Sequence, residues 1–187
     1  MGVARDHLNA LYAETSDPWG FAHSTYEQGK FAATRDALSR RRYASAFELG
    51  CGNGQLARHL VGMCDSYTGM DAVETALEAA RETVPTARFV QGYYPCPLPE
   101  GDYDLLILSE ILYFLDPDSL TRLAKEVAAS WPRAEVLCVS WLGETENPLQ
   151  GAQALELFKE ALPSHVFERV EATDRYCIDR ALPRRRA

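Results

Sequence analysis

Long apolar runs are missing from this sequence of 187 residues: none approaches the roughly 18 residues of a membrane-spanning helix, so no membrane span or membrane partner is expected. The N-terminus is polar, and no secretory leader is expected there. Cysteine is sparse. Cys51, Cys64, Cys96, Cys138 and Cys177 are odd in number and none pair at metal-ligand spacing, which fits a reduced, cytoplasmic chain. His7, His23, His59 and His165 are too scattered to propose a metal site. Positive charge is also short. Nineteen basic against 27 acidic residues leave a net charge of −8, which argues against a nucleic-acid partner unless arginines cluster. The one such run, Arg40-Arg41-Arg42, reads as a solvated helix end. No repeat or low-complexity segment is visible, and Pro95, Pro97 and Pro99 mark a stiff loop rather than a linker.

What is present is a rhythm. From about residue 44, short apolar runs alternate with segments of helical period, the pattern of a parallel sheet covered on both faces. Strands are expected at 44–49, 66–70, 88–91, 103–108 and 135–140, and helices at 55–61, 73–83 and 119–130, the last capped by Asp118. A helix over 152–162 follows, then strands at 167–172 and 175–182 split by Thr173-Asp174, which reads as a closing antiparallel hairpin. Residues 1–43 read as two helices, the second over 26–38, forming a cap. The expectation is one domain over 1–187, with that cap preceding an α/β core at 44–187.

The strongest motif is Phe47-Glu48-Leu49-Gly50-Cys51-Gly52-Asn53-Gly54, a strand running into a glycine-rich turn and then a helix. Glycines remove the side chains that would keep a ligand off the backbone, and free amides at the helix start offer hydrogen bonds to a carboxylate or other anion. Asp71 ends the next strand about 20 residues on, where a carboxylate can accept both hydroxyls of a ribose. Together they indicate a nucleoside-containing cofactor. The spacing is G-x-G-x-G with Glu48 before it, not the G-x-G-x-x-G of a dinucleotide turn. An acidic neighbour disfavours a pyrophosphate and favours the ammonium of a methionine moiety. Glu48 has a structural alternative, capping local backbone amides.

These residues resemble the first two motifs of the class I methyltransferases, which use S-adenosyl-L-methionine and leave S-adenosyl-L-homocysteine. Asp17-Pro18-Trp19, Tyr26-Glu27, Lys30-Phe31 and Ser109-Glu110-Ile111-Leu112-Tyr113-Phe114-Leu115 further resemble the nodulation N-methyltransferases (NodS-like). The resemblance implies a Rossmann-like, mostly parallel seven-stranded sheet with helices on both faces and a C-terminal antiparallel hairpin. It places Glu48, Gly50, Cys51, Gly52 and Asn53 around the methionine end, Asp71 at the ribose and Ala72 beside the adenine. Where many class I enzymes carry an acid after the third strand, this chain has Tyr93 and Tyr94, so an aromatic face against adenine or simple packing both stay open.

Ser109 and Glu110 follow the fourth strand at the ligand-binding edge of an open sheet. Glu110 is the candidate base, because methyl transfer to an amine needs a free lone pair in line with the methyl; orienting backbone or cofactor is its alternative role. His23 beside the cap is an alternative base. Trp19, Tyr26, Tyr113 and Trp141 read as a pocket wall for a sugar ring or the sulfonium, or as packing. Lys30 either pairs with the methionine carboxylate, as the resemblance suggests, or sits with Glu27 on a solvated face, the default. The expected reaction is methyl transfer to a small-molecule acceptor, an amine such as an amino sugar or oligosaccharide. Oxygen methylation, cofactor binding without catalysis and a nicotinamide-dependent oxidoreductase are the alternatives. The sequence specifies no oligomeric state.

Overall fold

The computed structural model describes residues 8, 10–13 and 15–185. His7 and most of the first expected N-terminal helix lie outside the described residues. Seven strands form one sheet: β1 (Tyr43–Leu49), β2 (Cys64–Asp71), β3 (Arg88–Gln91), β4 (Leu105–Ser109), β5 (Glu135–Trp141), β6 (His165–Ala172) and β7 (Tyr176–Pro183). Their order is β3-β2-β1-β4-β5-β7-β6. The first five are mutually parallel, and β7 runs antiparallel to both β5 and β6, so the hairpin expected around Thr173-Asp174 closes the sheet.

Burial explains the strands' composition. The Leu-Leu-Ile-Leu run of β4 is buried throughout, as a central parallel strand covered on both faces must be. β6 lies at the edge, and its Glu168, Arg169 and Glu171 face outward with a register irregularity between Arg169 and Glu171, features that blunt an exposed edge. The helices are α1 (Thr25–Asp36), α2 (Gln55–Leu60), α3 (Glu74–Thr83), α4 (Pro117–Ser130) and α5 (Gly151–Ala161). Phe31 of α1, Leu56 of α2 and Leu77 of α3 pack on one face of the sheet. Leu120 and Leu123 of α4 and Leu155 and Phe158 of α5 pack on the other.

Two local expectations change. α4 is capped by Asp116, whose carboxylate accepts from Ser119 N at 2.8 Å, and not by Asp118. Pro117 takes the first helical position, where its missing N–H costs nothing, so the cap falls one residue before it. The arginine run is not merely solvated: Arg40 pairs with Asp104 at 2.9 Å and Arg42 with Asp65 at 2.5 Å. Both tie down the N-terminal ends of strands, opposite the functional edge.

Strand order reverses between β1 and β4. The chain leaves their carboxyl ends toward opposite faces of the sheet, to α2 on one and α4 on the other, and open parallel sheets bind ligands in the crevice this leaves.

Candidate active site

A cavity of about 640 Å³ opens at this crevice, lined from the β1–α2 turn, the ends of β2, β4 and β5, helix α1 and the N-terminal segment. Gly50, Gly52 and Gly54 all have positive φ, 78°, 50° and 76°. Gly50 is needed twice over, because a Cβ there would also meet Ile111 Cδ1 at 2.9 Å.

Glu48, at the end of β1, is 1% exposed and accepts one hydrogen bond, from Tyr67 Oη at 2.7 Å, rather than capping backbone amides. Burial pushes its carboxyl up to about 8. Asp71 accepts from Gly52 N at 2.9 Å and Val73 N at 3.0 Å, and burial raises its carboxyl despite those bonds. The Cys51 thiol is buried and pushed well up by burial and then by Asp71, so it is no nucleophile. Asn53 Oδ1 and Gln55 Oε1 line the cavity as buried acceptors with no hydrogen-bond partner among the described residues. Buried acceptors rarely stay unpaired, and these call for donors on a ligand. Ala72, Val73 and Tyr93 supply an apolar wall beyond Asp71. Tyr94 also lines the cavity, its hydroxyl held 2.9 Å from Glu126.

The other end of the cavity is acidic. Glu110 follows β4 with φ at 54°, a left-handed conformation unusual outside glycine, and its N–H donates to Val139 O at 2.8 Å. Lys30 Nζ lies 2.7 Å from both Glu110 Oε2 and Glu27 Oε2. Burial raises the Glu110 carboxyl and Lys30 pulls it back down. Ser109, Tyr113 and Trp141 line the cavity, as does Trp19, which is 44% exposed at the mouth. Burial pushes the Tyr113 phenol well up, helped by Glu110 and Glu27.

Most candidates therefore meet at one place, with three corrections. His23 is exposed in the turn before α1 and does not line the cavity. Its backbone N–H closes that turn onto Gly20 O at 3.1 Å, which leaves the ring outside. Tyr26 also lies outside the lining, behind Lys30, packed edge-on against Tyr176 with the Arg175 guanidinium 5.1 Å from its ring. Lys30 is not on a solvated face: its side chain is 2% exposed.

Three further residues went unassigned in the sequence. Glu27 looks like the third-position acid of a capping box, and Ser24 Oγ does accept from Glu27 N at 3.2 Å, yet its carboxylate turns to Lys30. Tyr12 lies against the glycine turn, in edge contact with Trp19. Asp17 accepts from Phe21 N, Ala22 N and Asn53 Nδ2 at 2.8, 3.0 and 3.0 Å, clasping the N-terminal segment to that turn.

This sheet order, with a glycine turn after β1 and an acid ending β2, defines a Rossmann-like fold of the S-adenosylmethionine-dependent methyltransferase class. The family model for Nodulation protein S (NodS) matches residues 5–135. Nodulation protein S of Bradyrhizobium diazoefficiens is 30% identical over 106 residues, 53% of this chain and 49% of that protein. The chain thus spans about half the length of that relative. The Azorhizobium caulinodans protein of the same name is 26% identical over 163 residues, 80% of this chain and 76% of that one. Among solved structures, the N-methyltransferase NodS from Bradyrhizobium japonicum WM9, in complex with S-adenosyl-L-homocysteine, superposes with a TM-score of 0.81 at 17% identity, covering 96% and 98% of the two chains. A candidate methyltransferase from Pseudomonas syringae is 32% identical, with a TM-score of 0.71 and coverage of 86% and 100%. The chain belongs to the Nodulation protein S family, and S-adenosylmethionine is the cofactor of this class of methyltransferase.

The residues present fit that cofactor: Glu48 and the unpaired acceptors of Asn53 and Gln55 could accept from an ammonium, Asp71 could accept from ribose hydroxyls, and Ala72, Val73 and Tyr93 leave an apolar slot of a kind that suits a flat base.

Proposed function

We propose that this protein transfers a methyl group from S-adenosylmethionine to the nitrogen of a small amine, with amino sugars and aminated oligosaccharides as the first class to test. The supporting observation is the charge of the cavity. Glu27, Asp71, Glu110, Asp116 and Glu146 line it against one cation among the described residues, Lys30, and Glu48 adds a carboxyl that an approaching ammonium would ionise. Such a lining repels carboxylate and phosphate acceptors and draws in ammonium groups.

S-adenosylmethionine supplies the electrophilic methyl group when bound. The chain's own residues do the rest. Glu48, Asn53 and Gln55 would hold the amino-acid end and Asp71 the ribose, with Tyr93 lining the cavity beyond Asp71 where the base would lie. Glu110, at the strained turn after β4, receives the acceptor's ammonium and takes its proton, which exposes the nitrogen lone pair. Trp141 and Tyr113 wall the acceptor in and keep water out, and Trp19 covers the mouth. The described residues before β1 act as a cap on the sheet, in a reducing cytoplasm where the five cysteines stay thiols.

Two experiments test this. In calorimetric titration, S-adenosylmethionine and S-adenosylhomocysteine are expected to bind and NAD is not; NAD binding alone overturns the reading. With labelled methyl donor, glucosamine is expected to be labelled and N-acetylglucosamine, which lacks a basic nitrogen, is not. Labelling of hydroxyl compounds but of no amine would replace nitrogen by oxygen as the acceptor.

A further inference from the structure

Among the described residues, Lys30 is the one cation lining the acidic cavity. It projects from α1 into the cavity wall, and two of its three ammonium protons are matched by carboxylate oxygens 2.7 Å away, on Glu27 and Glu110. Its third side faces the Tyr26 ring, whose centroid lies 5.6 Å from Nζ. The cluster of two carboxylates and one ammonium carries a net negative charge. A further carboxylate, such as the amino-acid carboxylate of the cofactor, would meet repulsion there rather than an unsatisfied cation.

We propose that Lys30 is a positioning residue for Glu110: it fixes that carboxylate at the acceptor end of the cavity and keeps it ionised, and it does not bind the cofactor's carboxylate. The importance assigned to Glu110 rests on the methyltransferase reading above; the Lys30–Glu110 pairing does not.

Three features of the surroundings carry the argument. The left-handed backbone at Glu110, held by its N–H on Val139 O, sets the side chain against α1, where Lys30 is the cation that pairs with it, while Arg35 in the last turn of the helix pairs with Asp36. Burial and the charge of Glu27 both make Glu110 harder to ionise, and the Tyr113 and Tyr26 phenols, raised by burial, stay neutral and supply no positive charge in place of Lys30. Both carboxylates are largely shielded, with 13% and 18% of their side chains exposed, so water replaces little of what Lys30 supplies. Without the ammonium, Glu27 and Glu110, each 2.7 Å from the place it held, are left as neighbouring like charges with no cation between them, which opposes ionisation of the Glu110 carboxyl that burial already raises. Glu110 would take up a proton, and a protonated Glu110 can no longer accept one from an amine.

The test combines infrared spectroscopy with ligand binding. In Lys30→Met at pH 7, a protonated-carboxyl band is expected that wild type lacks, beyond the band assigned to Glu48 through Glu48→Gln. That extra band should vanish in Lys30→Met/Glu110→Gln and be absent in Lys30→Arg, which restores the charge. A general packing role for Lys30 would produce no such pattern. The dissociation constants of Lys30→Met for S-adenosylhomocysteine and for 5′-methylthioadenosine, which lacks the amino-acid moiety, should stay within about twofold of wild type. Lys30→Gln carries the same comparison if the methionine variant does not fold. Absence of the extra band, or a tenfold loss for S-adenosylhomocysteine with 5′-methylthioadenosine unchanged, overturns the proposal. If wild type binds neither S-adenosylmethionine nor S-adenosylhomocysteine, the methyltransferase reading fails while the infrared comparison still reports on the pair.

Discussion

Binding of S-adenosylhomocysteine at neutral pH should release a proton from Glu48, and Glu48→Gln should abolish that release. Glu48 is 1% exposed, and its one hydrogen bond comes from the neutral Tyr67 hydroxyl. Among the described residues no Lys, Arg or His forms an ion pair with it. Desolvation raises its carboxyl to about 8, with Asp71 adding a smaller push and Tyr67 opposing. At pH 7 the protonated form therefore predominates by about ten to one. A ligand ammonium seated against Glu48 favours the carboxylate, so binding should expel about 0.9 of a proton at pH 7, and affinity should rise roughly tenfold between pH 6 and pH 7. Calorimetry in two buffers of different ionisation enthalpy counts the proton directly. 5′-Methylthioadenosine has the ribose that Asp71 would meet but no ammonium, and should release none. Equal release with both ligands, or release that persists in Glu48→Gln, would refute the reasoning.

The same carboxyl should make the free protein less stable as pH rises. A group raised in the folded state stabilises below its unfolded value of 4.5, and that contribution is lost as pH climbs to the folded value of about 8. Between pH 5 and pH 8 wild type should lose about 3 kcal/mol relative to Glu48→Gln, read from urea midpoints at each pH; parallel curves would show that Glu48 ionises freely. Asp17→Ala removes the acceptor of three hydrogen bonds that tie the N-terminal segment to Asn53. It should cost about 2 kcal/mol locally and raise amide exchange over residues 15–22 while leaving β1 and β4 protected. Gly50→Ala combines a positive φ with a Cβ 2.9 Å from Ile111 Cδ1, and should cost about 2 kcal/mol and weaken S-adenosylhomocysteine binding, both measurable in one thermal-shift series.

Strands were legible wherever burial alone chose the residues. β4 and β5 are apolar runs because both of their faces are buried, while the edge strands β3 and β6 show in the sequence through short segments bounded by turn residues; all the expected strand boundaries fall within two residues of the observed ends. The hairpin was legible from its turn. Asp116 is hidden behind Pro117, because the proline already begins the helix ahead of the periodic segment and moves the cap outside that pattern.

The site divides the same way. Its cofactor half is written contiguously, in 47–54 and at Asp71, because one strand, one turn and the end of the next strand build it. Its acceptor half is assembled from α1, the turn after β4 and the end of β5, which no local pattern brings together. Glu27 and Lys30 at helical spacing look the same in sequence whether they face water or a cavity. What separates the two cases is Glu110, 80 positions away, whose carboxylate reaches Lys30 only after β4 is threaded beside β1 and its chain turns left-handed. The sheet order thus converts an ordinary surface pair into a buried ionic cluster. For the same reason Tyr26, one residue from Glu27 on the helix, falls outside the cavity: on α1 a step of about 100° decides which side chain faces the crevice.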